Sequence, residues 1–239
     1  MSTTGQKSKS LVSLAHQRSF MEIIYLGHSC FKFKGKKGIV VTDPYDDYIG
    51  LKLPAINADI VTSSHDHKDH NAVTRIKPAS KREQPFIIDR PGAYEVGGIS
   101  IFGTPSFHDD QGGVERGKNT IFVIWMDDIK ICHLGDLGHE LSSSQIAQIG
   151  AVDVLMVPVG GYFTLDAKQA IKLIKSLDPA YAIPMHYKTP AHDNNVFADL
   201  KPLEAFLNEY GLSPNPEVSL KVEKNKLPEE TELIVLKNG

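Results

Sequence analysis

The stretch SSHDHKDHN, residues 63–71, limits what this chain can become more than any other, because positions 65–70 hold three histidines and two aspartates. It directly follows ADIVT, a β-branched apolar run that reads as a strand ending at the cluster. In extended backbone, side chains two positions apart project to the same side. His65 and His67 therefore point together, Asp69 follows if the strand continues, and His70 joins them only if the chain turns. Such a loop offers imidazole nitrogens and a carboxylate to a common point, as a metal with about four N, O or S ligands requires. A solvated loop is the ordinary reading of an isolated H-x-H. The fuller H-x-H-x-D-H at the end of an apolar strand favours metal binding.

Three more candidate ligands sit where strands end: His108 closes GISIFGTPSFH, Asp136 closes IKICHLGD and His186 closes YAIPMH. Each alone reads equally well as a hydrogen-bonded loop residue. Their shared placement lets distant segments converge on one rim of a sheet sandwich, where loops carry function. Further strands are expected at MEIIYLG, at CFKFK and IVV around a Gly-Lys-Lys-Gly turn, and at PFIID, NTIFVIWM, VDVLMVPVGG, VSLKV and ELIVL. Asp127-Asp128 supplies a tight turn. Helical spacing of Ala167, Ala170, Ile171 and Ile174 predicts a helix over 166–177; LEAFLNEYG predicts another, and NAVTRIKP has a short helical look. Strands with interspersed helices, without repeats or linkers, predict an α/β (α+β) architecture of packed sheets with helices outside. One domain over 21–239 is the simpler division.

Composition removes several function classes. A net charge of −3 without a basic stripe argues against nucleic acid as partner. No window approaches eighteen apolar residues in a row, so no membrane span is expected. Two distant cysteines, Cys30 and Cys132, read as buried free thiols in a reducing, cytoplasmic compartment. Residues 1–20 are basic and Ser-rich without a secretory core. They read as a flexible tail; a targeting peptide, or residues upstream of a start at Met21, stay open.

TDP with Asp43, then His65, His67, Asp69 and His70, then His108, then GD with Asp136, and finally His186 together resemble the five ordered motifs of the metallo-β-lactamase superfamily. YLGHSCF near the start further resembles its UlaG-like branch, which includes ascorbate-6-phosphate lactonase. The resemblance implies a four-layer αββα sandwich with two divalent metal ions at its edge. His65, His67 and His108 would hold one ion and Asp69, His70 and His186 the other, with Asp136 bridging and Asp43 orienting the ligand loop. His67 stands where iron-holding members carry glutamate, which favours zinc, with manganese also suited to a mixed N/O site. The implied chemistry is hydrolysis of an ester, lactone or phosphoester in a small, anionic substrate, with Asp69 orienting the water. Two divalent cations against Asp69, Asp136 and one hydroxide would leave such a site with roughly one net positive charge.

Weaker candidates for substrate contact are His28, Gly161, Tyr187 and Lys188. A backbone-bonded buried imidazole, a simple glycine turn and a solvated lysine are the ordinary readings of His28, Gly161 and Lys188. The pattern leaves His133, His139 and His192 spare. The rival functions are a non-catalytic metal-binding or regulatory protein and an RNA-processing phosphodiesterase of the same fold. The sequence leaves a homo-oligomer open.

Overall fold

A computed structural model describes residues 20–80 and 82–238, so nearly all of the expected tail lies outside the described residues. The chain opens with β1 (Met21–Gly27), β2 (Cys30–Lys34) and β3 (Ile39–Thr42). Short strands follow: β4 (Asn57–Ala58), β5 (Ile60–Thr62), β6 (Lys77–Pro78) and β7 (Phe86–Ile88). An antiparallel run comes next, β8 (Gly92–Val96), β9 (Ile99–Phe107), β10 (Lys118–Met126) and β11 (Ile129–His133). Helices then enter: α1 (Ser143–Ile149), β12 (Val154–Pro158), α2 (Ala167–Leu177) and β13 (Tyr181–Met185). The chain closes with α3 (Asn194–Phe197), α4 (Leu203–Tyr210), β14 (Leu220–Val222) and β15 (Glu232–Leu233).

Two sheets form, β14-β1-β2-β3-β5-β7 and β15-β13-β12-β11-β10-β9-β8, while β4 and β6 pair separately. Alternation builds the first sheet. Met21, Ile23, Tyr25, Phe31, Phe33, Val40 and Ile60 enter the main core with the second sheet, while Leu26, Cys30, Val41 and Val61 enter a separate cluster. Burying each such large apolar side chain contributes about 1.5–3 kcal/mol. In β12 the run Val154–Val157 is buried throughout, as a strand covered on both faces should be.

Helices α1, α2 and α4 lie against the second sheet. α2 starts at a capping box between Asp166 and Gln169, and buries Ala170, Leu173, Ile174 and Leu177, one stripe at helical spacing. Ile149 of α1 and Phe206 of α4 join the same core. The second cluster, beyond the first sheet, is closed by 3-10 turns carrying Ile49 and Val73 and by Phe197 of α3. This is the mixed α/β layering expected, with the thinner outer layer on the first sheet's side.

Strand direction decides where the site falls. β11, β12, β13 and β15 run parallel, and β10 opposes β11. β9 opposes β10 in turn, so it ends on the same edge as β11 and β13. β3, β5 and β7 are likewise mutually parallel.

Local departures from expectation have local causes. Asp127 and Asp128 both take positive φ, 51° and 65°, which suits a two-residue hairpin turn. NAVTRIKP forms only a 3-10 turn, Val73–Arg75, before Lys77–Pro78 pairs with β4. Of ELIVL only Glu232–Leu233 pairs with β13, although Ile234–Leu236 are also buried.

Candidate metal and active site

Asp43 follows β3, the segment 63–70 follows β5, His108 follows β9, Asp136 lies three residues past β11, and His186 follows β13. Carboxyl ends of parallel strands are where such sheets place ligand sites. The chain does turn after His67, where the His70 N–H donates to the His67 carbonyl at 2.8 Å. All seven candidate ligands meet. One Asp136 oxygen, Oδ2, lies 3.1 Å from Nε2 of each of His70, His108 and His186, and 3.9 Å from His65 Nε2. His65 Nε2 and His67 Nδ1 are 3.0 Å apart.

The imidazoles are aimed by their other nitrogens. Ser64 Oγ donates to Asp43 Oδ2 at 2.6 Å, so it is left to accept from His65 Nδ1 at 2.9 Å. His70 Nδ1 donates to Asp43 Oδ2 at 2.9 Å, and His108 Nδ1 to the Phe163 carbonyl at 2.9 Å. When each ring is neutral, these contacts leave Nε2 bare toward the common point, the usual work of groups behind metal ligands. Asp136 is pinned through its backbone, whose N–H donates to Asn119 Oδ1 at 3.0 Å. Asn119 in turn donates to Ser106 Oγ and the Leu134 carbonyl.

His28 is fully buried and reaches the site, but through a metal-ligand candidate rather than a substrate. The Thr189 N–H donates to His192 Nδ1 at 3.0 Å, which puts the His192 proton on Nε2. That proton points at His28 Nδ1, 3.3 Å away, so His28 carries its own on Nε2, 3.2 Å from Asp69 Oδ2. A backbone amide thus fixes the direction of a chain ending on Asp69. Burial favours the neutral form of both rings, taking His28 down to about 4 and His192 to about 3.

Strain and close packing mark the same place. Among the described residues seven non-glycines have positive φ, and His28 (56°), Asp43 (43°) and His186 (52°) are three of them. Such backbone costs about 1–3 kcal/mol per residue and gathers where geometry serves a site. Gly135 precedes Asp136 because a Cβ there would lie 2.3 Å from Asn119 Oδ1 and 2.5 Å from Ser64 Cβ. A Cβ at Gly160 would lie 2.2 Å from the His186 carbonyl oxygen.

The donor set fits divalent metal. Burial alone would raise the carboxyls of Asp43, Asp69 and Asp136, yet neighbouring imidazoles hold all three below the usual range. Burial also drives His65 and His67 toward the neutral, ligating form. His70 behaves oppositely: burial opposes its charge, but Asp136 and Asp69 outweigh this and raise it. His70 Nε2, Asp136 Oδ1 and His186 Nδ1 are buried without a hydrogen-bond partner, a costly arrangement unless something else engages the cluster. Ligand atoms around a tetrahedral ion with bonds of about 2.0–2.1 Å stand about 3.3 Å apart, close to the separations here. Ligand atoms fall into three groups within 4.8 Å: His65/His67/His108, His65/His70/Asp136 and His28/Asp69/His70/His186.

Above the cluster opens a cavity of about 510 Å³, walled by Tyr48, Asp66, His67, Lys68, Asp69, His108, Arg116, Asp136, Phe163, His186, Val196 and Phe197. Three expected substrate contacts are not brought to it. The Gly161 N–H is spent on the Leu165 carbonyl at 3.1 Å, closing a turn. Tyr187 is buried against Tyr25, with ring centroids 6.1 Å apart. Lys188 donates to the Phe197 carbonyl and, with Tyr187, borders a separate surface hollow. His133 spans the sheets, donating to the Ser29 carbonyl at 2.8 Å. The sequence reading missed Tyr48, Arg116, Phe163, Asn119 and His192.

Similarity to known proteins agrees with this geometry. The profile of a beta-lactamase superfamily domain matches residues 22–186. A protein of Thermoplasma acidophilum described as a UPF0173 metal-dependent hydrolase is 32% identical over 190 residues, covering 71% of this chain and 84% of its own. One from Carboxydothermus hydrogenoformans with the same description is 30% identical over 195 residues, covering 71% and 85%. A solved Thermotoga maritima structure, described as a Zn-dependent hydrolase of the metallo-beta-lactamase superfamily, is 37% identical with a TM-score of 0.71. The match covers 90% of this chain and 98% of that one. A metallo hydrolase of Ignicoccus hospitalis, 22% identical with a TM-score of 0.56 over 85% of this chain and 99% of its own, shares the fold.

Proposed function

This chain belongs to the beta-lactamase superfamily and is a metal-dependent hydrolase; from that premise we propose that it uses two divalent ions to hydrolyse an ester, lactone or phosphoester in a small molecule. His65, His67 and His108 would hold one ion and Asp69, His70 and His186 the other, with Asp136 available to both. Imidazole nitrogens dominate this set, which favours zinc over the harder manganese. When bound, such a pair supplies Lewis acidity and a water acidic enough to attack near neutral pH.

The chain's own groups do the positioning. His28 Nε2–H takes one oxygen of Asp69 at 3.2 Å, which leaves the other to orient water and receive its proton. The apolar part of the cavity wall, Phe163, Val196 and Phe197, excludes water around a carbon skeleton. Asp43 keeps His65 and His70 in the ligating tautomer.

The reading is carried by one observation: a single Asp136 oxygen 3.1 Å from three imidazole nitrogens beneath a cavity that also holds Asp69. Asp69 and the open cavity favour catalysis over mere metal storage. The cavity's size and the net charge of −3 favour a small molecule over RNA, in keeping with the lactonase-like branch. Two buried free thiols, Cys30 and Cys132, support a cytoplasmic setting, and no described helix is long and apolar enough to cross a membrane.

Metal-loaded protein is expected to hydrolyse bis(p-nitrophenyl) phosphate or members of a lactone panel. No turnover of any ester, lactone or phosphodiester by fully loaded protein overturns the proposal.

A further inference from the structure

The geometry points to Arg116 as the receptor for an oxyanion, a carboxylate or phosphate, on the substrate; this rests on the hydrolase reading above. Arg116 lies in the wall of the cavity that holds Asp69, His108, Asp136 and His186. It is delivered there by a loop built for the purpose. The loop leaves directly from His108 and returns at Gly117, whose carbonyl accepts the His108 N–H at 3.1 Å. At its centre is the buried carboxylate of Asp109. Asp109 Oδ1 accepts from the N–H groups of Gln111 (2.9 Å) and Gly113 (2.7 Å), and Oδ2 from Glu115 (3.0 Å) and Arg116 (2.8 Å). Four backbone donors on one carboxylate fix the path of the loop and the root of the Arg116 side chain.

The guanidinium is held from a second side. Its Cζ lies 5.7 Å from the Phe163 ring centroid and 5.8 Å from that of Tyr162, and these two rings stand at 89° to each other. The Phe163 carbonyl accepts from His108 Nδ1, so this aromatic corner is tied to a ligand candidate. Arg116 meets one carboxylate, Glu115, through a single 3.3 Å contact, and the Glu115 side chain is 57% exposed. A guanidinium has five N–H donors in a flat fork, so most remain for a planar or tetrahedral oxyanion. Of the other charged groups in the wall, Lys68 adds to the attraction and Asp66 opposes it, while Asp69 and Asp136 oppose it until divalent metal offsets their charge. An apolar side formed by Phe163, Val196 and Phe197 completes a site for a carbon skeleton with an anionic end.

The test compares metal-loaded wild type, R116Q and R116K on two esters with the same leaving group: neutral p-nitrophenyl acetate and mono-p-nitrophenyl glutarate. R116Q is expected to lose about tenfold to hundredfold in kcat/KM on the glutarate ester, mostly in KM, the range of a charge-assisted hydrogen bond. The acetate should change less than about twofold, and R116K should recover only part of the loss, because a point charge replaces the fork. Equal losses on both esters, or none, overturn the assignment. If wild type cleaves neither ester, that counts against the hydrolase reading, and binding decides on Arg116. Glutarate and inorganic phosphate are then titrated calorimetrically into wild type and R116Q, and the preferred anion identifies which oxyanion the site takes. A roughly tenfold weaker variant supports the receptor; equal or undetectable binding to both proteins overturns it.

Discussion

Asp43→Asn changes one atom and should disturb two candidate metal ligands, His65 and His70. Asp43 Oδ2 accepts from Ser64 Oγ at 2.6 Å and His70 Nδ1 at 2.9 Å, while Oδ1 accepts from the Ser64 N–H at 2.8 Å. An amide has only one oxygen. Placed at Oδ2, it leaves the NH2 facing the Ser64 N–H; placed at Oδ1, it leaves the NH2 facing two donors. In the second case His70 relieves the clash only by moving its proton to Nε2, the atom 3.1 Å from Asp136 Oδ2, and Ser64 no longer holds His65 in its tautomer. Either way a buried donor goes unsatisfied, at about 1–3 kcal/mol. At about 2–4 °C per kcal/mol for a chain of this size, the metal-free melting temperature should fall by about 2–12 °C. Loss of such an orienting group typically costs about tenfold to hundredfold in metal affinity, or about 1.4–2.8 kcal/mol. Competition against a chromophoric chelator reads that affinity, and circular dichroism reads the melt. A folded D43N that binds zinc like wild type would refute the tautomer argument.

Three further outcomes follow from the same contacts. Asp69→Asn should fold normally but lose about a hundredfold to ten-thousandfold in turnover, as expected for a positioned proton acceptor; retention of a tenth of wild-type kcat would remove Asp69 from the chemistry. His192→Phe deletes the donor to His28 Nδ1 and frees Asp69, so kcat should fall about tenfold while zinc affinity stays within a few-fold, and unchanged kcat would mean the chain from Thr189 is only packing. The pH dependence has a definite sign. In the fold His28 drops from 6.5 to about 4 and His192 from 6.5 to about 3, so each contributes stability in full above pH 6.5. That contribution is lost as pH falls through this window, with the lowered carboxyls of Asp43 and Asp69 adding a loss at still lower pH. Urea melts of metal-free protein should therefore weaken steadily below pH 6.5; a flat profile down to pH 4.5 would contradict the neutral-histidine assignment.

The candidate ligands were legible because each follows a run whose apolar pattern announces a strand: ADIVT before His65, YAIPM before His186. The parallel strands β5, β11 and β13 turn their carboxyl ends to the site, and the antiparallel β9 ends on the same edge as β11 and β13. β8 was not legible. GAYEV is an edge strand whose residues are exposed or half-buried, so no alternation marks it. The short helix α1 did carry a signal, Ser142 and Gln145 spaced as a capping box, but only Ile149 is buried and no apolar stripe draws the eye. The cavity wall was hidden for a different reason. Arg116 reaches it through backbone bonds to Asp109, Tyr48 through a 3-10 turn, and Phe197 from a helix far beyond Arg116 in sequence. Such placements depend on loop paths that no local spacing encodes. Tyr187 and Lys188 fail the same way: they are next to His186 in sequence, but the strained backbone at His186 turns the chain away from the cavity.

The most direct measurement is a metal count on protein reconstituted with zinc, gel-filtered, and analysed by mass spectrometry of the elements beside a protein assay. The account predicts two zinc ions per chain in wild type. One ion per chain, or none, in protein that is demonstrably folded would contradict it.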